Sequence, residues 1–188
     1  LIASSSLTQA LAQIGPRDPG ALLSAVNRSV KSLLGQVKGV DETPESDDGL
    51  DAAFFWYDAV RSELVYAGAR VAVHVLQPDD QQFTSLSGQR MGVVYVDSDE
   101  DYEWTQLTLI LQSGSLLFIT TDGLTDQIGG PRNIAFGKRR ACELILENRH
   151  QPTSQISEAL LGALADWQGE QPRRDDLTFF CARLQDKP

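Results

Sequence analysis

The stretch LFITTDGLTD, residues 117–126, joins a short apolar run to a turn that carries two aspartates. The apolar run predicts a buried strand that ends at Asp122, where Gly123 lets the backbone turn sharply and admits a close approach. Asp126 lies one helical turn further along. Carboxylates on such a rigid strand end suit a hard cation such as Mg²⁺ or Mn²⁺. Because Asp-Gly is also common in ordinary turns, the stretch alone permits a metal site without demonstrating one.

A second acidic stretch, RRDDLT at residues 173–178, stands directly before the last apolar run. Asp175 and Asp176 therefore precede a predicted final strand, Leu177–Leu184. Carboxylates from two separate strands could together hold two metal ions. Such a pair of ions suits the in-line attack of a metal-activated water on a phosphate.

Other reactive residues are expected to be structural. His74 lies in an apolar strand and His150 at a helix end, and neither stands beside a nucleophilic Ser or Cys. Cys142 and Cys181 lie in apolar periodic segments, which is typical of buried free thiols in a reducing compartment and not of a disulfide framework or zinc site. The acidic run 97–101 lacks the glycine and the terminal Glu of a calcium loop, and we expect a solvated hairpin loop there.

The composition argues for a globular chain and against nucleic acid as a partner. The 188 residues fit one domain, residues 1–188, and their 41% apolar and 22% charged content is ordinary for such a domain. Twenty-six acidic residues oppose sixteen basic ones, a net charge of −10 that would repel a phosphate backbone. No run approaches the about 20 apolar residues of a membrane helix, and residues 1–14 lack the features of a signal peptide. Since the chain opens on Leu1, we expect it to be part of a longer protein.

The flanking segments predict an alternation of helices and strands. The apolar spacing predicts a helix over Leu1–Ile14 that ends at Gly15-Pro16, and a second helix with Asp18 as its N-cap and Pro19 at its first position. After a polar loop, Gly35–Gly49, short aromatic and β-branched runs predict an antiparallel meander. Its strands would be Leu50–Tyr57, Glu63–Ala67 and Val71–Leu76.

The second half of the chain predicts further strands and two helices. Thr105–Gln112 and Leu116–Thr121 read as two strands joined through a hairpin connection at residues 113–115. Helices over Ala135–Asn148 and Thr153–Trp167 follow, the latter capped by Thr153 or Ser154. Helices that flank runs of strands in this order indicate an α+β fold with helices packed on antiparallel sheets.

Taken together, these segments resemble the SpoIIE/RsbU type of serine phosphatase in the protein phosphatase 2C superfamily. Residues 121–126 match the penultimate metal motif of that family, and residues 175–178 match its terminal Asp-Asp-x-Thr motif. Three further segments resemble one subgroup: Asp48-Gly49-Leu50-Asp51, Tyr66-Ala67-Gly68-Ala69, and Trp167-Gln168-Gly169. Gln127-Ile128-Gly129-Gly130-Pro131 resembles the continuation of the first motif in that subgroup. The resemblance covers Leu1 to Leu184, and more loosely it extends to SiaA-like phosphatases, whose catalytic domain follows a membrane-anchored sensor.

The resemblance implies a fold and a set of site residues. The fold would be an α-β-β-α sandwich in which helices flank two antiparallel sheets. Asp122 and Asp175 would be the catalytic, metal-ligating aspartates for two Mg²⁺ or Mn²⁺ ions, and Asp126 would hold a third, weaker ion. Asp176 would be a hydrogen-bonding partner, and Asp48 and Asp51 are expected to be turn residues at a strand start.

The function implied by the resemblance is the hydrolysis of phosphoserine or phosphothreonine on a regulatory protein, an anti-sigma-factor antagonist or similar STAS-domain protein. It also implies a cytoplasmic location, either free or as the cytoplasmic domain of a membrane-anchored sensor, and it admits a homodimer. No contact of this segment with a membrane is expected.

One departure from the family pattern affects the expected activity. The strand motif Gly-Asp-x-x-Asp and the motif Gly-Asp-x-x-Gly-His-Gly, which supply the aspartate that bridges both metals in the family, do not occur here. Leu1 looks like the middle of the helix that follows them, so we expect the chain to lack the N-terminal part of the domain and to be inactive alone. Two alternatives stay open: a phosphatase-like binding module without turnover, and aspartates that are ordinary turn residues. A haloacid-dehalogenase phosphatase is rejected because that class requires an aspartate two residues before the aspartate of Asp-Gly, and Thr120 occupies this position.

Overall fold

The computed structural model describes residues 2–34 and 49–184, so most of the predicted loop Gly35–Gly49, including Asp48, lies outside the described residues. The helices are α1 (Ile2–Ile14), α2 (Pro19–Leu33), α3 (Asp122–Thr125), α4 (Gly137–Glu147) and α5 (Thr153–Gln168). The strands are β1 (Ala52–Asp58), β2 (Glu63–Ala69), β3 (Val73–Leu76), β4 (Thr84–Leu86), β5 (Leu107–Ile110), β6 (Leu116–Thr120), β7 (Ile128–Gly129), β8 (Ile134–Ala135) and β9 (Phe179–Arg183). This mixture of helices and antiparallel sheets confirms the α+β prediction.

The chain divides into two compact units, which do not by themselves test the prediction of a single domain. The first unit contains Leu1–Val73 and Leu86–Leu111, and the second contains His74–Ser85 and Gln112–Pro188. Throughout the described ranges, each helix is too short or too polar to span a bilayer.

In the first unit, α2 packs against a sheet with the strand order β1-β2-β5, and α1 packs against α2. The strands are antiparallel, with Ala52 opposite Ala69 and Glu63 opposite Ile110. The apolar stripe of α2, including Leu23 and Val26, is buried in a core with residues of β2. The predicted start of α2 is confirmed: the Asp18 carboxylate accepts a hydrogen bond from the Ala21 N–H at 2.9 Å, and Pro19 is the first helical residue.

The acidic run 97–101 is a loop, as predicted, but it does not connect the two strands of a hairpin. Val93 bridges Leu50, whereas β5 pairs with β2. The loop is anchored by the fully buried Asn27, whose side-chain amide donates to the carbonyls of Asp99 (2.8 Å) and Glu100 (3.2 Å). The loop is therefore packed on α2 by a buried polar side chain.

The second unit contains a sheet with the strand order β4-β3-β6-β9, the short hairpin β7-β8, and helices α3 to α5. Strand β6 is central: His74 of β3 lies opposite Phe118, and on the other side Thr120 lies opposite Phe179 of β9. The middle of β6 is buried as its apolar run predicted, in a core that it shares with α3, α4 and α5. Strand β6, whose end leads to Asp122, is therefore held by neighbouring strands on both sides.

Two predicted strand pairings are wrong. Strand β3 does not continue a meander from β2, because it pairs with β6 in the other sheet. Strands β5 and β6 do not form a hairpin although only residues 111–115 separate them. The backbone of that connection bonds elsewhere: the Leu111 N–H donates to the Ser62 carbonyl, and the Gly114 N–H donates to the Leu184 carbonyl, both at 2.8 Å.

The predicted cap of α5 is also wrong, although the helix begins at Thr153 as expected. Its N-cap is Pro152, an extended residue with ψ 146°, and no side chain caps the first turn. Thr153 is already helical, and its carbonyl accepts a hydrogen bond from the Ser157 hydroxyl at 2.9 Å. The conformation that proline imposes starts this helix without a polar cap.

Candidate metal centre

The two acidic motifs meet at the end of β6, where Thr121 links them. The Thr121 N–H donates to the Thr178 carbonyl at 2.9 Å, and the Thr178 N–H donates back to Thr121 Oγ1 at 3.1 Å. The Thr121 hydroxyl in turn lies 3.1 Å from the Asp176 carbonyl, to which it can donate. This exchange places the backbone before Asp122 directly beside the loop that contains Asp175.

Gly123 allows the first turn of α3 to lie against the Asp175–Asp176 backbone. A Cβ atom added to this buried glycine would lie 2.3 Å from the Asp176 carbonyl oxygen and 2.8 Å from the carbonyl carbon. The φ angle of Gly123 is not positive, so the predicted sharp turn is not the reason for the glycine. The reason is the close approach of the Asp176 backbone, whereas the sequence predicted that the glycine would admit the close approach of a cation.

The four aspartates of the motifs are exposed and lack basic partners. Asp175 Oδ1 accepts a hydrogen bond from the Asp176 N–H at 2.7 Å, and Asp126 Oδ1 accepts one from Thr125 Oγ1 at 3.2 Å. Within residues 2–34 and 49–184, no Lys, Arg or His forms an ion pair with Asp122, Asp126, Asp175 or Asp176. The four carboxylates are therefore exposed and take part in no ion pair with another described residue, although Arg173 and Arg174 precede Asp175 in the chain.

The donor chemistry fits a hard divalent cation, but the described residues supply only part of a ligand shell. Carboxylate and carbonyl oxygens are the ligands that Mg²⁺ and Mn²⁺ prefer, and Mg²⁺ usually keeps several waters while one or two carboxylates bind it. In the described part of the chain, no group of three or more His, Cys, Asp or Glu residues is placed to hold one ion. Asp122 and Asp175 would therefore need water or further ligands to complete the coordination of a cation.

A buried glutamine follows the first motif. Gln127 is 0% exposed, and its side-chain amide donates to the carbonyls of Ile128 and Pro172, both at 3.0 Å. Its Oε1 accepts a hydrogen bond from the Arg174 N–H at 3.4 Å. The sequence marked Gln127 only as part of a motif, because a polar residue beside an acidic turn gives no local sign of burial.

The Gly129-Gly130 pair and the Trp167 segment, both part of the resemblance, are in contact with each other. A Cβ atom on Gly129 would lie 1.8 Å from the Trp167 carbonyl oxygen, and one on Gly130 would lie 2.6 Å from the Trp167 ring. The Gly130 N–H donates to the Trp167 carbonyl at 2.7 Å, and the Arg140 guanidinium lies 3.9 Å above the indole ring. These glycines are needed for packing, which is independent of any metal.

His74 and the two cysteine side chains of the second unit have structural environments. His74 is buried, its Nδ1 lies 2.8 Å from Ser85 Oγ, and burial, with the nearby charge of Lys138, lowers its pKa to about 4. Cys142 and Cys181 are free, and burial raises the pKa of both thiols, so they stay protonated at neutral pH.

Asp51 lies directly before β1 and forms an ion pair with Arg70. Its Oδ1 lies 3.8 Å from Arg70 Nη1, and the Arg70 guanidinium lies 4.1 Å above the Tyr95 ring. Burial, together with the neighbouring Asp51 carboxylate, raises the pKa of the Tyr95 hydroxyl. These contacts are consistent with the predicted role of Asp51 at a strand start.

Comparison with known proteins identifies the fold and then the family. The protein phosphatase 2C domain of SiaA from Pseudomonas aeruginosa is similar with a TM-score of 0.84 and 28% identity, over 98% of this chain and 68% of that chain. The RsbU and RsbW domains of a Mycobacterium tuberculosis protein give a TM-score of 0.69 and 18% identity, over 99% of this chain and 48% of that one. The chain therefore has a protein phosphatase 2C fold. It belongs to the SpoIIE family, whose family model, stage II sporulation protein E, matches residues 2–185.

A structure that contains metal is also similar. The catalytic domain of the serine/threonine protein phosphatase PstP, in complex with 2 manganese ions, gives a TM-score of 0.61 and 16% identity, over 98% of this chain and 81% of that one. No curated protein matches the chain. The expected resemblance to SpoIIE/RsbU phosphatases is confirmed, and this chain spans about half of the mycobacterial protein.

Proposed function

We propose that this chain is part of a metal-dependent phosphoserine/phosphothreonine protein phosphatase. Membership of the SpoIIE family supports the reaction class. The observation that carries the proposal is the close approach of Gly123 to the Asp176 carbonyl, because it joins the two acidic motifs at one strand end. An ordinary turn would not require a glycine at that contact or two hydrogen bonds between Thr121 and Thr178.

Each residue of the site has a distinct role in this proposal. Asp122 and Asp175 hold two Mg²⁺ or Mn²⁺ ions, and Asp126 contributes to a third, weaker position. The backbone N–H of Asp176 donates to Asp175 Oδ1 and so orients that carboxylate. The bound ions would supply an activated water and offset the charge of the phosphate. Thr121 and Thr178 keep the two ligand-bearing segments in register.

The exposure of the site favours a phosphate that is displayed on a protein. Asp122, Asp126 and Asp175 are all exposed, so a phosphorylated side chain on a large partner can reach them. We propose a phosphorylated regulatory protein as the substrate, of the STAS-domain anti-sigma-factor antagonist type. The proposed setting is the cytoplasm, either free or behind a membrane-anchored sensor, with a homodimer as one assembly.

The test is phosphate release from a phosphoserine protein and from a generic aryl phosphate, measured with Mn²⁺, Mg²⁺ or a chelator in the full-length protein. Asp122→Asn and Asp175→Asn should each lower metal-dependent turnover by about 100-fold, because each removes a charged ligand. The matched control is Asp166→Asn, which removes the same charge from an exposed position on α5 of the same unit. Its turnover should equal that of the wild type.

Two outcomes would contradict the proposal. Equal turnover in Asp122→Asn, Asp175→Asn and the control would show that these aspartates are turn residues. A folded full-length protein that binds Mn²⁺ but releases no phosphate would instead favour the binding module. That alternative is supported by one observation: the described residues do not gather three metal-ligating side chains.

A further inference from the structure

The segment that follows the first acidic motif is joined to the loop that leads into Asp175. Besides the Gln127 side chain, the Gly130 N–H donates to the Trp167 carbonyl at 2.7 Å, and the Gln171 amide donates to Asn133 Oδ1 at 3.2 Å. The bond between Gln171 and Asn133 is exposed, so water can replace it. Gln127 differs because its side chain is entirely buried.

The Gln127 amide binds the loop through both of its polar ends. Its NH₂ group donates to the Pro172 carbonyl, and its carbonyl accepts from the Arg174 N–H. The amide supplies both a donor and an acceptor on one uncharged side chain. The backbone of Gln127 is held as well, since its carbonyl accepts from the Phe136 N–H at 2.9 Å. Hydrogen bonds therefore hold both the backbone of Gln127 and the two polar groups of its side chain.

We propose that Gln127 is a positioning residue for the metal site. It lies one residue after Asp126 and bonds to Arg174, one residue before Asp175, so it connects the two ligand-bearing segments from the buried side. This inference rests on the proposed function, because it assigns Gln127 an effect on cation binding through Asp175. Gln127 itself does not contact the cation or the substrate.

Loss of the hydrogen bonds of the Gln127 side chain should weaken cation binding more than it lowers the stability of the fold. The hydrogen bonds between Thr121 and Thr178 and the packing of Gly130 on Trp167 do not involve the Gln127 side chain. The unit therefore keeps its fold when the amide is removed, while residues 172–175 gain freedom. Groups that orient metal ligands typically change metal affinity by about 10–100-fold when they are mutated.

The test compares Gln127→Met with wild type in the full-length protein, by calorimetry with Mn²⁺ alone and by phosphate release. The variant should bind Mn²⁺ about 10–100-fold more weakly, while turnover at saturating Mn²⁺ falls less. Hydrogen exchange at the Arg174 amide should also become faster. The matched control is Ser115→Ala, which removes a buried hydroxyl that donates to the Gln112 carbonyl at 2.6 Å, at the start of β6. That control should leave Mn²⁺ affinity unchanged.

A second variant, Gln127→Asn, keeps an uncharged amide but shortens the side chain by one methylene. The shorter amide cannot bond to both Pro172 and Arg174 from the same backbone position. Because the charge of the site is unchanged, weaker Mn²⁺ binding in this variant would report the loss of positioning and not an electrostatic effect. This variant also decides the inference if Gln127→Met does not fold.

The failures of the two proposals are distinguishable. Wild-type affinity for Mn²⁺ in both Gln127 variants, or equal weakening in Ser115→Ala, would overturn the positioning role while the proposed function stands. A wild-type protein that binds no Mn²⁺ would overturn both proposals.

Discussion

Gly123→Ala tests directly whether the two acidic motifs must lie as close as the structure places them. The new methyl carbon would lie 2.3 Å from the Asp176 carbonyl oxygen and 3.2 Å from that of Asp175. Both neighbours are backbone atoms, which cannot rotate away as a flexible side chain would. Ordinary van der Waals contact begins near 3.4 Å, so the Asp176 carbonyl has to retreat by about 1 Å.

The displacement has separate effects on stability and on turnover. Overpacking of this kind destabilises a protein by about 1–3 kcal/mol, which in a chain of this size lowers Tm by about 2 to 12 °C. The same shift moves the backbone of Asp175 relative to Asp122. A misplacement of about 1 Å typically costs about 100-fold in rate, so metal-dependent turnover should fall by that factor.

The assay combines calorimetric unfolding with Mn²⁺-dependent phosphate release, and Gly162→Ala is the control. Gly162 lies within α5, and an added Cβ would have no neighbour within 4 Å. Its replacement should raise stability by about 1 kcal/mol through helix propensity and leave turnover unchanged. If Gly123→Ala were as stable and as active as Gly162→Ala, the close approach would not be needed and the reasoning would be refuted.

Two further predictions concern stability. Asn27→Ala should lower the free energy of unfolding by about 3 kcal/mol, because it removes a buried amide that binds Val94, Asp99 and Glu100. Urea unfolding is the measurement. A loss no larger than that of Asn148→Ala would contradict this prediction. The pKa of His74 is about 4 in the folded state, against 6.5 for the unfolded chain. The unfolded state therefore binds the proton first as pH falls, so wild type should lose about 2 kcal/mol more than His74→Asn between pH 7.5 and 5. Equal pH slopes of the unfolding free energy would show that His74 does not titrate this way.

The helices could be predicted from the sequence because their signals are local. The spacing of apolar residues placed a helix over Leu1–Ile14, and α1 spans Ile2–Ile14; the helix predicted over Ala135–Asn148 is α4, Gly137–Glu147. Asp18 and Pro19 marked the start of α2 through a capping bond only three residues long. In each case the deciding interaction lies within one or two turns of the helix.

The strand partners could not be predicted in the same way. An alternating or apolar run marks a strand but does not say which strand it pairs with. Strand β3 follows β2 after a short connection and yet pairs with β6, more than 40 residues later in the chain. The connection at residues 113–115 looked like a hairpin turn, but the Gly114 N–H donates to the Leu184 carbonyl, and the Leu111 N–H just before it donates to the Ser62 carbonyl. Long-range hydrogen bonds decided both pairings.

The candidate site shows the same division between local and long-range information. Asp122 and Asp175 could be selected from their motifs, and the structure brings the two segments together through Thr121 and Thr178. The burial of Gln127 could not be inferred, because its partners at Pro172 and Arg174 lie about 45 residues away. A polar residue acquires such a role only when the fold brings its partners to it.

Arg173 and Arg174 directly precede Asp175, but no described Lys, Arg or His forms an ion pair with the carboxylates of the site. Like charges at Asp122, Asp126 and Asp175 repel each other, and no ion pair with another described residue offsets that repulsion. An arginine partner would relieve it, but a cation would then have to displace that arginine. The structure instead holds the carboxylates through backbone contacts, namely the Gly123 approach and the bonds between Thr121 and Thr178. The carboxylate charge thus stays available for a cation, and the rigid backbone opposes the separation of the two segments.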